Sequence, residues 1–268
     1  GGMIAIRDAL AALLHDLGVE VRLNTKVDKF HVFQNKVLGV KVKDEKIPFD
    51  RVVSALDIAY AKEYLFSRDL MEPKMRAKSL GMSAMVFQWG IKGNFPQLDL
   101  HNVFFSKKYR KEFDSMTRKQ PYHDLTLYVY VSSKRKTDDA PPGHENWFVM
   151  VNVPANTGQD WTAITASVKK QVLAKLERML GEPIEPLIET EKILDPLLIE
   201  AKTDSYQGSL YGTSSNATMA AFLRHPNFSK QYKGLYFVGG SVHPGGGIPL
   251  CLKSAEIMSN LAAKDSVL

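Results

Sequence analysis

Three consecutive glycines, Gly245 to Gly247, stand between an apolar strand pattern and an amphipathic helix pattern near the end of this chain. The stretch reads LYFVGGSVHPGGGIPLCLKSAEIMSNL, and Pro244 and Pro249 frame the glycines. Glycine loses more conformational entropy on folding than any other residue, so such a run indicates that side chains would obstruct something. A tight strand-to-helix crossover needs one or two glycines. Three, framed by prolines, favour a ligand that approaches the backbone closely.

A strand that turns into a helix in this way presents unpaired backbone N–H groups and the positive end of the helix dipole. Anionic or electron-rich ligand atoms bind at such a position, and Ile248 adds an apolar contact. The dinucleotide fingerprint GxGxxG, with an acidic residue about 20 positions later, does not occur in the sequence. The turn therefore predicts a ligand site of another kind.

The first part of the chain alternates helix and strand patterns. Apolar residues recur on neighbouring turns from residue 3 to residue 17, and Gly18 supplies a left-handed C-cap, which predicts a helix. The alternation that follows predicts a strand at 20–23, a hairpin over 27–43 and a strand at 51–55.

The middle of the chain has a different secondary-structure pattern. The pattern is helical between residues 58 and 80, and β-rich segments such as SAMVFQWGIKG, DLTLYVYVSS and NWFVMVNVPA follow. The segment WTAITASVKKQVLAKLERMLG predicts a helix that ends at Gly181, and LLIEAKTDSY predicts a strand at 197–206. We expect an antiparallel or mixed sheet with covering helices.

The end of the chain, like its beginning, combines a strand pattern with a helix pattern, and predicts a strand at LYFVG and a helix over about 246–264. Two pieces of similar character thus flank an inserted sheet, which predicts an α/β to α+β fold. Residues 1–57 and 205–268 are expected to form one domain, and residues 58–204 a second one.

Composition excludes several classes of protein. The hydrophobic fraction of 44% and charged fraction of 24% are typical of globular proteins, and no apolar run reaches the roughly 20 residues of a membrane span. The single cysteine, Cys251, cannot form a disulfide within the chain, which fits the reducing cytoplasm. The histidines are scattered without the spacing of metal ligands, so no metal site is predicted. The net charge of +6 is dispersed, and the basic runs SKKYRKEF and SSKRKTDD contain acids. Solvated surfaces are therefore favoured over a nucleic-acid partner.

The segment YFVGGSVHPGGGIPLCLKSAE resembles the carboxy-terminal signature of the carotenoid (phytoene) desaturase family, FAD-dependent oxidoreductases related to the amine oxidases. In that family the loop wraps the flavin end of FAD, and the helix after it points at the isoalloxazine ring. The motif GGSVHPGGGIPL resembles that of the hydroxycarotenoid 3,4-desaturase type more than that of the phytoene-using type. The resemblance implies that the cofactor contacts come from Gly239, Gly240, Ser241, His243, Pro244, Gly245, Gly246, Gly247, Ile248 and Pro249.

Two further stretches agree with this resemblance. GGMIAIRDALAALLHDLGVEVRLNTKVDKF resembles the family segment that leads to a valine, here Val27, whose backbone contacts the adenine part of FAD. DSYQGSLYGTSSNATMAAFLRHPN, residues 204–227, resembles the stretch before the last FAD strand. The family's amino-terminal GxGxxG unit has no counterpart here. The resemblance thus implies the carboxy-terminal part of a longer two-domain enzyme, with an incomplete FAD-binding domain, an inserted substrate-binding domain and no activity on its own.

The resemblance implies FAD-dependent desaturation of a carotenoid or similar polyene, in which hydride and proton leave adjacent carbons. Such a long apolar substrate is drawn from lipid, so peripheral attachment to the inner membrane face is expected. A retinol-saturase-like or amine-oxidising flavin enzyme, and a non-catalytic binding protein that retains the fold, are the alternatives. His243 is a candidate acid or base, but a packing role is favoured because no carboxylate partner is evident in the sequence. Arg224 and His225 are candidates for a position near the flavin, and structural roles are favoured for them too. The catalytic residue and the oligomeric state stay open.

Overall fold

The computed structural model describes residues 2–66, 81–210, 212 and 224–265. Within them lie ten strands, namely β1 Lys29–Phe33, β2 Lys36–Val42, β3 Glu45–Pro48, β4 Val52–Ser54, β5 Ser83–Lys92, β6 His101–Phe104, β7 Leu127–Tyr130, β8 His144–Val153, β9 Ile188–Leu194 and β10 Leu235–Phe237. The helices are α1 Met3–Asp16, α2 Ile58–Tyr60 with a π-helical continuation Ala61–Leu65, α3 Tyr109–Thr117, α4 Trp161–Leu180, α5 Pro196–Thr203 and α6 Ile248–Lys264.

The larger sheet has five strands in the order β6-β7-β8-β5-β9, and every neighbouring pair is antiparallel. Buried and partly buried residues alternate along β8, so one face of the sheet is shielded from solvent. That face packs against the apolar stripe of α4 and forms what we call the sheet core. Its members include Phe87, Trp89 and Trp147 from the strands and Val168 and Leu176 from α4. The expected sheet with covering helices is confirmed as antiparallel.

The second cluster of buried side chains, here called the loop core, joins the two ends of the chain. Strand β4 pairs in parallel with β10, with Val52 opposite Leu235. The sheet β1-β2-β3 joins through two backbone hydrogen bonds, from Val37 N to Lys233 O and from Lys233 N to Asn35 O, both 2.9 Å long. Residues from both ends contribute to the core, including Phe30, Val40, Val52, Leu235, Phe237 and Val242.

Most expected elements are present. The first helix, the hairpin, the strand at 51–55, the last strand and the last helix are confirmed. Helix α4 ends as expected at Gly181, which has φ of 86°. Of the helical pattern over 58–80, the first part forms α2 and the π-helical turn, and residues 67–80 lie outside the described residues.

Two predictions are wrong. Residues 20–23 form no strand, because no described strand pairs with them, and Val21 and Leu23 are 57% and 79% exposed. Residues 197–206 begin as helix α5 instead of a strand. Pro196 occupies the first helical position, and the Asp195 carboxylate accepts a hydrogen bond of 2.8 Å from Leu198 N. This cap starts a helix at the point where the apolar pattern favoured a strand.

Helix α1 stands apart from both cores, since none of its residues is buried. Its apolar side chains are 41–64% exposed, namely Met3, Ile4, Ile6, Leu10, Leu13 and Leu14. Among the described residues, no helix has both the length and the hydropathy needed to cross a bilayer.

Candidate functional site

The glycine loop follows β10 and leads into α6. Val238 N donates to Ser54 O at 3.0 Å, which extends the parallel pairing by one residue. The chain then turns at Gly239, where φ is 108°. It passes through a cis peptide between His243 and Pro244 and enters the three glycines. The sequence prediction of strand, glycine turn and helix thus describes the local path of the backbone correctly.

The three glycines have different surroundings. A Cβ atom at Gly245 would lie 3.2 Å from Arg224 Nε, so the chain's own guanidinium fills that space. Gly246 Cα lies 3.3 Å from the position of a Cβ on Gly240, so two turns of the loop meet backbone to backbone. At Gly247, where φ is 99°, no heavy atom lies within 4 Å of a Cβ. Internal packing therefore explains Gly245 and, at the contact with Gly246, the absence of a side chain on Gly240, whereas Gly247 borders open space.

The open position coincides with the beginning of α6. No side chain caps this helix, and Cys251 N donates to Gly247 O at 2.9 Å as its first backbone bond. Ile248 and Leu250 are each 43% exposed, and Pro249 between them has no N–H. The positive end of the helix dipole and an apolar surface are thus presented together.

A buried asparagine holds the loop against α6. Asn227, only 3% exposed, has its Nδ2 atom 2.8 Å from Ser254 Oγ, 2.9 Å from His243 O and 3.1 Å from Phe237 O. The same Ser254 hydroxyl accepts a hydrogen bond of 3.2 Å from Gly239 N. These contacts fix the turn relative to the helix before any ligand arrives.

Sequence reasoning missed both residues of this contact. The available signal was the partly buried stripe of α6, in which Ser254 is a polar member at helical spacing from Cys251 and Met258. Asn227 gave no comparable signal in the sequence. One of its partners, Ser254, lies 27 residues away, and the other two are backbone carbonyls, which no sequence pattern reveals.

Ser241 ties the loop to α2. Its buried hydroxyl accepts a hydrogen bond of 2.9 Å from Ile58 N. Next to this contact, Asp57 Oδ1 accepts from Ala59 N at 2.8 Å and from Tyr60 N at 3.2 Å. Burial raises the pKa of the Asp57 carboxyl despite these two hydrogen bonds. The Ser241 side chain therefore acts within the chain, as a support for the loop.

Arg224 and His225 also have packing contacts. Arg224 donates to Gly240 O at 3.1 Å. The His225 ring lies edge-on to Phe237 with centroids 5.1 Å apart. Burial, assisted by the charge of Lys62, lowers the pKa of His225 to about 4, so its imidazole is neutral near pH 7. His243 is held through its backbone, since its N–H donates to His225 O at 2.9 Å.

Val27 lies just before β1 and is half-buried against the loop core, which also contains Phe237 and Val242. The structure therefore brings this residue and the glycine loop to one core. The third stretch of the resemblance, 204–227, is described only in part, because residues 211 and 213–223 lie outside the described residues. No group of three metal-ligating side chains occurs in the part of the chain that the structure describes.

The two faces of the five-stranded sheet differ in burial. Met85, Phe87, Trp89 and Trp147 point into the sheet core. On the other face, Ala84 and Val86 of β5 are buried, whereas the aromatic side chains of β7 and β8 are only partly buried. Tyr128 lies opposite Met150, and Tyr130 lies opposite Phe148. These four form a continuous, largely aromatic surface: Tyr128, Tyr130, Phe148 and Met150.

Comparison with known families decides the affiliation of the chain. The model of the flavin containing amine oxidoreductases matches residues 1–261. The chain belongs to this family. The expected resemblance to carotenoid desaturases is confirmed as well, because similar curated proteins include a 1-hydroxycarotenoid 3,4-desaturase, phytoene desaturases and 4,4'-diapophytoene desaturases.

The chain is 46% identical over 263 residues to a 1-hydroxycarotenoid 3,4-desaturase from Flavobacterium sp. (strain P99-3), covering 97% of this chain and 54% of that protein. It is 32% identical over 274 residues to a 4,4'-diapolycopene oxygenase from Methylomonas sp, with coverages of 99% and 54%. It is 28% identical over 291 residues to a phytoene desaturase from Fusarium fujikuroi, with coverages of 99% and 51%. The chain thus spans about half the length of these relatives.

Solved structures agree on the fold. An oxidoreductase from Methanosarcina mazei superposes with a TM-score of 0.62 at 14% identity, covering 95% of this chain and 53% of that one. A putative protoporphyrinogen oxidase from Exiguobacterium sp. 255-15 gives 0.58 at 17% identity, with coverages of 97% and 51%. The predicted class, an α/β to α+β fold of the flavin-linked oxidoreductases, is confirmed.

Proposed function

We propose that this chain is part of an FAD-dependent enzyme that desaturates a carotenoid or similar polyene. The observation that supports it most is the start of α6 beside Gly247, which no side chain caps and where a side chain on Gly247 would extend into open space. The similarity to a 1-hydroxycarotenoid 3,4-desaturase favours this reaction over amine oxidation.

The residues of the loop fit a flavin. FAD, when bound, supplies the hydride acceptor. The start of α6 would stabilise negative charge on the ring by roughly 0.3 to 2 kcal/mol. Gly247 leaves the backbone accessible, and Ile248 offers an apolar contact. No side chain of this loop is assigned the proton transfer.

The other proposed cofactor-binding residues have supporting roles in this arrangement. Gly239, Gly240 and Ser241 set the first turn, Gly245 leaves room for Arg224, and the absence of a side chain on Gly240 lets Gly246 approach it closely. His243, Pro244 and Pro249 shape the path between the turns, and Val27 lies on the shared core. We assign direct contact to Gly247 and Ile248, and adenine contact to the Val27 backbone.

We further propose that residues 1–57 and 205–268 belong to the FAD-binding domain and residues 58–204 to the substrate-binding domain. The partly buried sheet face with Tyr128, Tyr130, Phe148 and Met150 would contact the polyene, because sites for long apolar ligands are mostly hydrophobic. The exposed apolar residues of α1 would be covered by other parts of the longer enzyme. A polyene dissolves in lipid, so we propose peripheral contact with the cytoplasmic membrane face.

The experiment compares two glycines in the longer enzyme. Gly247→Val should weaken flavin binding by roughly tenfold or more, because the branched side chain would occupy the open space. Gly158→Val is the matched control, since Gly158 has φ of 94° and likewise no atom within 4 Å of a Cβ, but lies in the loop before α4. Flavin absorbance after gel filtration measures retention.

Equal retention in the two variants would contradict the flavin contact at Gly247. Incubation of the enzyme with a hydroxylated carotenoid, followed by absorbance of the lengthened chromophore, tests the reaction itself. An enzyme that retains flavin but oxidises amines instead would exclude the desaturase. A colourless longer protein that does not respond to added FAD would favour the non-catalytic alternative.

A further inference from the structure

Three aromatic rings form a row beside the edge strand of the five-stranded sheet. Phe105 and Tyr109 have ring centroids 5.9 Å apart, and Tyr109 and Phe113 have centroids 4.9 Å apart, both edge to face. Phe105 is 67% exposed and Tyr109 48% exposed. Scattered exposed apolar residues are ordinary, but a contiguous aromatic row on the surface marks a site of interaction.

Four cations surround this row. Lys107, Lys108, Arg110 and Lys111 are all exposed. Between residues 105 and 114, all of which the structure describes, Asp114 is the one exposed carboxylate, because Glu112 is fully buried. The cations lie around the start of α3, where the helix dipole is already positive and added positive charge destabilises the helix. Helix stability therefore does not account for them, whereas an anionic partner does.

Buried charged side chains hold the backbone that carries these three rings. The Glu112 carboxylate accepts from Thr126 N at 2.9 Å and from Thr126 Oγ1 at 2.6 Å. Lys175, 6% exposed, donates to Phe105 O at 2.9 Å and to Asp124 Oδ1 at 3.1 Å. These buried contacts hold both ends of the connection between β6 and β7, so the rings are presented without local rearrangement.

We propose that this surface, the α3 patch, docks on a lipid bilayer that contains anionic headgroups. The patch consists of Phe105, Tyr109 and Phe113 with Lys107, Lys108, Arg110 and Lys111. Aromatic rings and lysines together favour the bilayer interface, where rings enter the headgroup region and cations attract anionic lipid. The sequence favoured a solvated surface for the run SKKYRKEF, because it could not show that Glu112, the one acid of this run, is buried.

The position of the patch suits a lipid-borne substrate. Val103 on β6 is 47% exposed and lies opposite Tyr128 of the proposed polyene surface. An apolar strip therefore leads from the patch to that surface. The α3 patch thus rests on the proposed function, because it names the surface that would make the membrane contact proposed there. Its test is separate, since lipid binding itself requires neither flavin nor catalysis.

A second exposed surface of similar composition serves as the control. On the sheet β1-β2-β3, Phe33 is 62% exposed and Phe49 is 50% exposed. Three exposed lysines there have three exposed carboxylates near them in the chain, so these lysines do not form an uncompensated positive surface: Lys36, Lys43 and Lys46, with Asp44, Glu45 and Asp50.

The test is cosedimentation of this chain with vesicles of phosphatidylcholine plus phosphatidylglycerol, and with vesicles of phosphatidylcholine alone. The triple variant Lys107→Gln, Lys108→Gln, Lys111→Gln should reduce partitioning to the anionic vesicles about 100-fold. The matched triple variant Lys36→Gln, Lys43→Gln, Lys46→Gln should change it less than about threefold. The single variant Phe105→Ser should reduce partitioning about tenfold without affecting its salt dependence.

Equal partitioning of the two triple variants would overturn the proposal, and so would equal binding to the two kinds of vesicle. Preference for duplex DNA over anionic vesicles in a competition experiment would also overturn it. If the α3 variant loses its circular dichroism spectrum, the single changes Lys107→Gln and Lys111→Gln replace it, each with an expected loss of about fivefold. Flavin retention measured for Gly247→Val is independent of all these results.

Discussion

The sheet core and the loop core are built in different ways. In the sheet core, five antiparallel strands and α4 bury large side chains from one continuous part of the chain, including Trp89 and Trp147. In the loop core, two three-residue strands from opposite ends of the chain pair in parallel. Helix α1 buries no residue, and α6 buries only Ser254. The contrast shows that apolar contacts among its own residues stabilise the sheet core. The position of the glycine loop depends instead on a few hydrogen bonds between polar groups.

The largest expected effect lies in the sheet core. Trp147 is 2% exposed, packs edge-on against Phe95 with centroids 4.9 Å apart, and donates to Glu145 Oε2 at 2.8 Å. Trp147→Ala should lower the free energy of unfolding by about 3 to 5 kcal/mol, because it removes a buried ring and leaves a cavity. Urea denaturation followed by circular dichroism measures it. A loss below about 1 kcal/mol would contradict the idea of a closed core.

The next effect is a pH dependence confined to the loop core. The pKa of His225 falls from 6.5 to about 4 on folding, so its contribution to stability is fully present above pH 6.5 and is lost as the pH falls towards 4. The loss should reach about 3 kcal/mol at most. Amide exchange of β10 and α6 between these pH values measures it. In His225→Gln the slope in this window should be flatter, and an unchanged slope would contradict the assignment.

A smaller effect is expected at the polar contact itself. Asn227→Ala should destabilise the loop by about 1 to 3 kcal/mol, because it leaves Ser254 Oγ and two backbone carbonyls without their buried donor. Asn260→Ala, an exposed change on α6, the helix of Ser254, is the control and should have almost no effect. Amide exchange at Gly239 distinguishes the two variants. Equal exchange would show that the loop holds its shape by packing alone.

The smallest effect should come from α1. Leu10 is 47% exposed, so Leu10→Ser should change the free energy of unfolding of this chain by less than about 0.5 kcal/mol. Urea denaturation again measures it. The same substitution in the longer enzyme should destabilise it more, if α1 is covered there as proposed.

Local patterns were the most predictable part of the structure. The hairpin followed from alternation around Gln34 and Asn35, both of which have positive φ, and the end of α4 followed from Gly181. The helix at 196–203 was also readable, because Asp195 followed by Pro196 is a helix-start signal, but the apolar run was given more weight. The strand expected at 20–23 could not be judged locally, since a strand exists only with a partner.

The sequence by itself determined that a glycine turn joins a strand to a helix and that the chain resembles flavin-dependent desaturases, because backbone preferences and motif spacing are local properties. Only the tertiary structure decided what each glycine does. Arg224 beside Gly245, Gly240 beside Gly246 and open space beside Gly247 result from contacts between distant residues. Such contacts depend on how the whole chain packs, and identical neighbouring glycines carry no trace of them in the sequence.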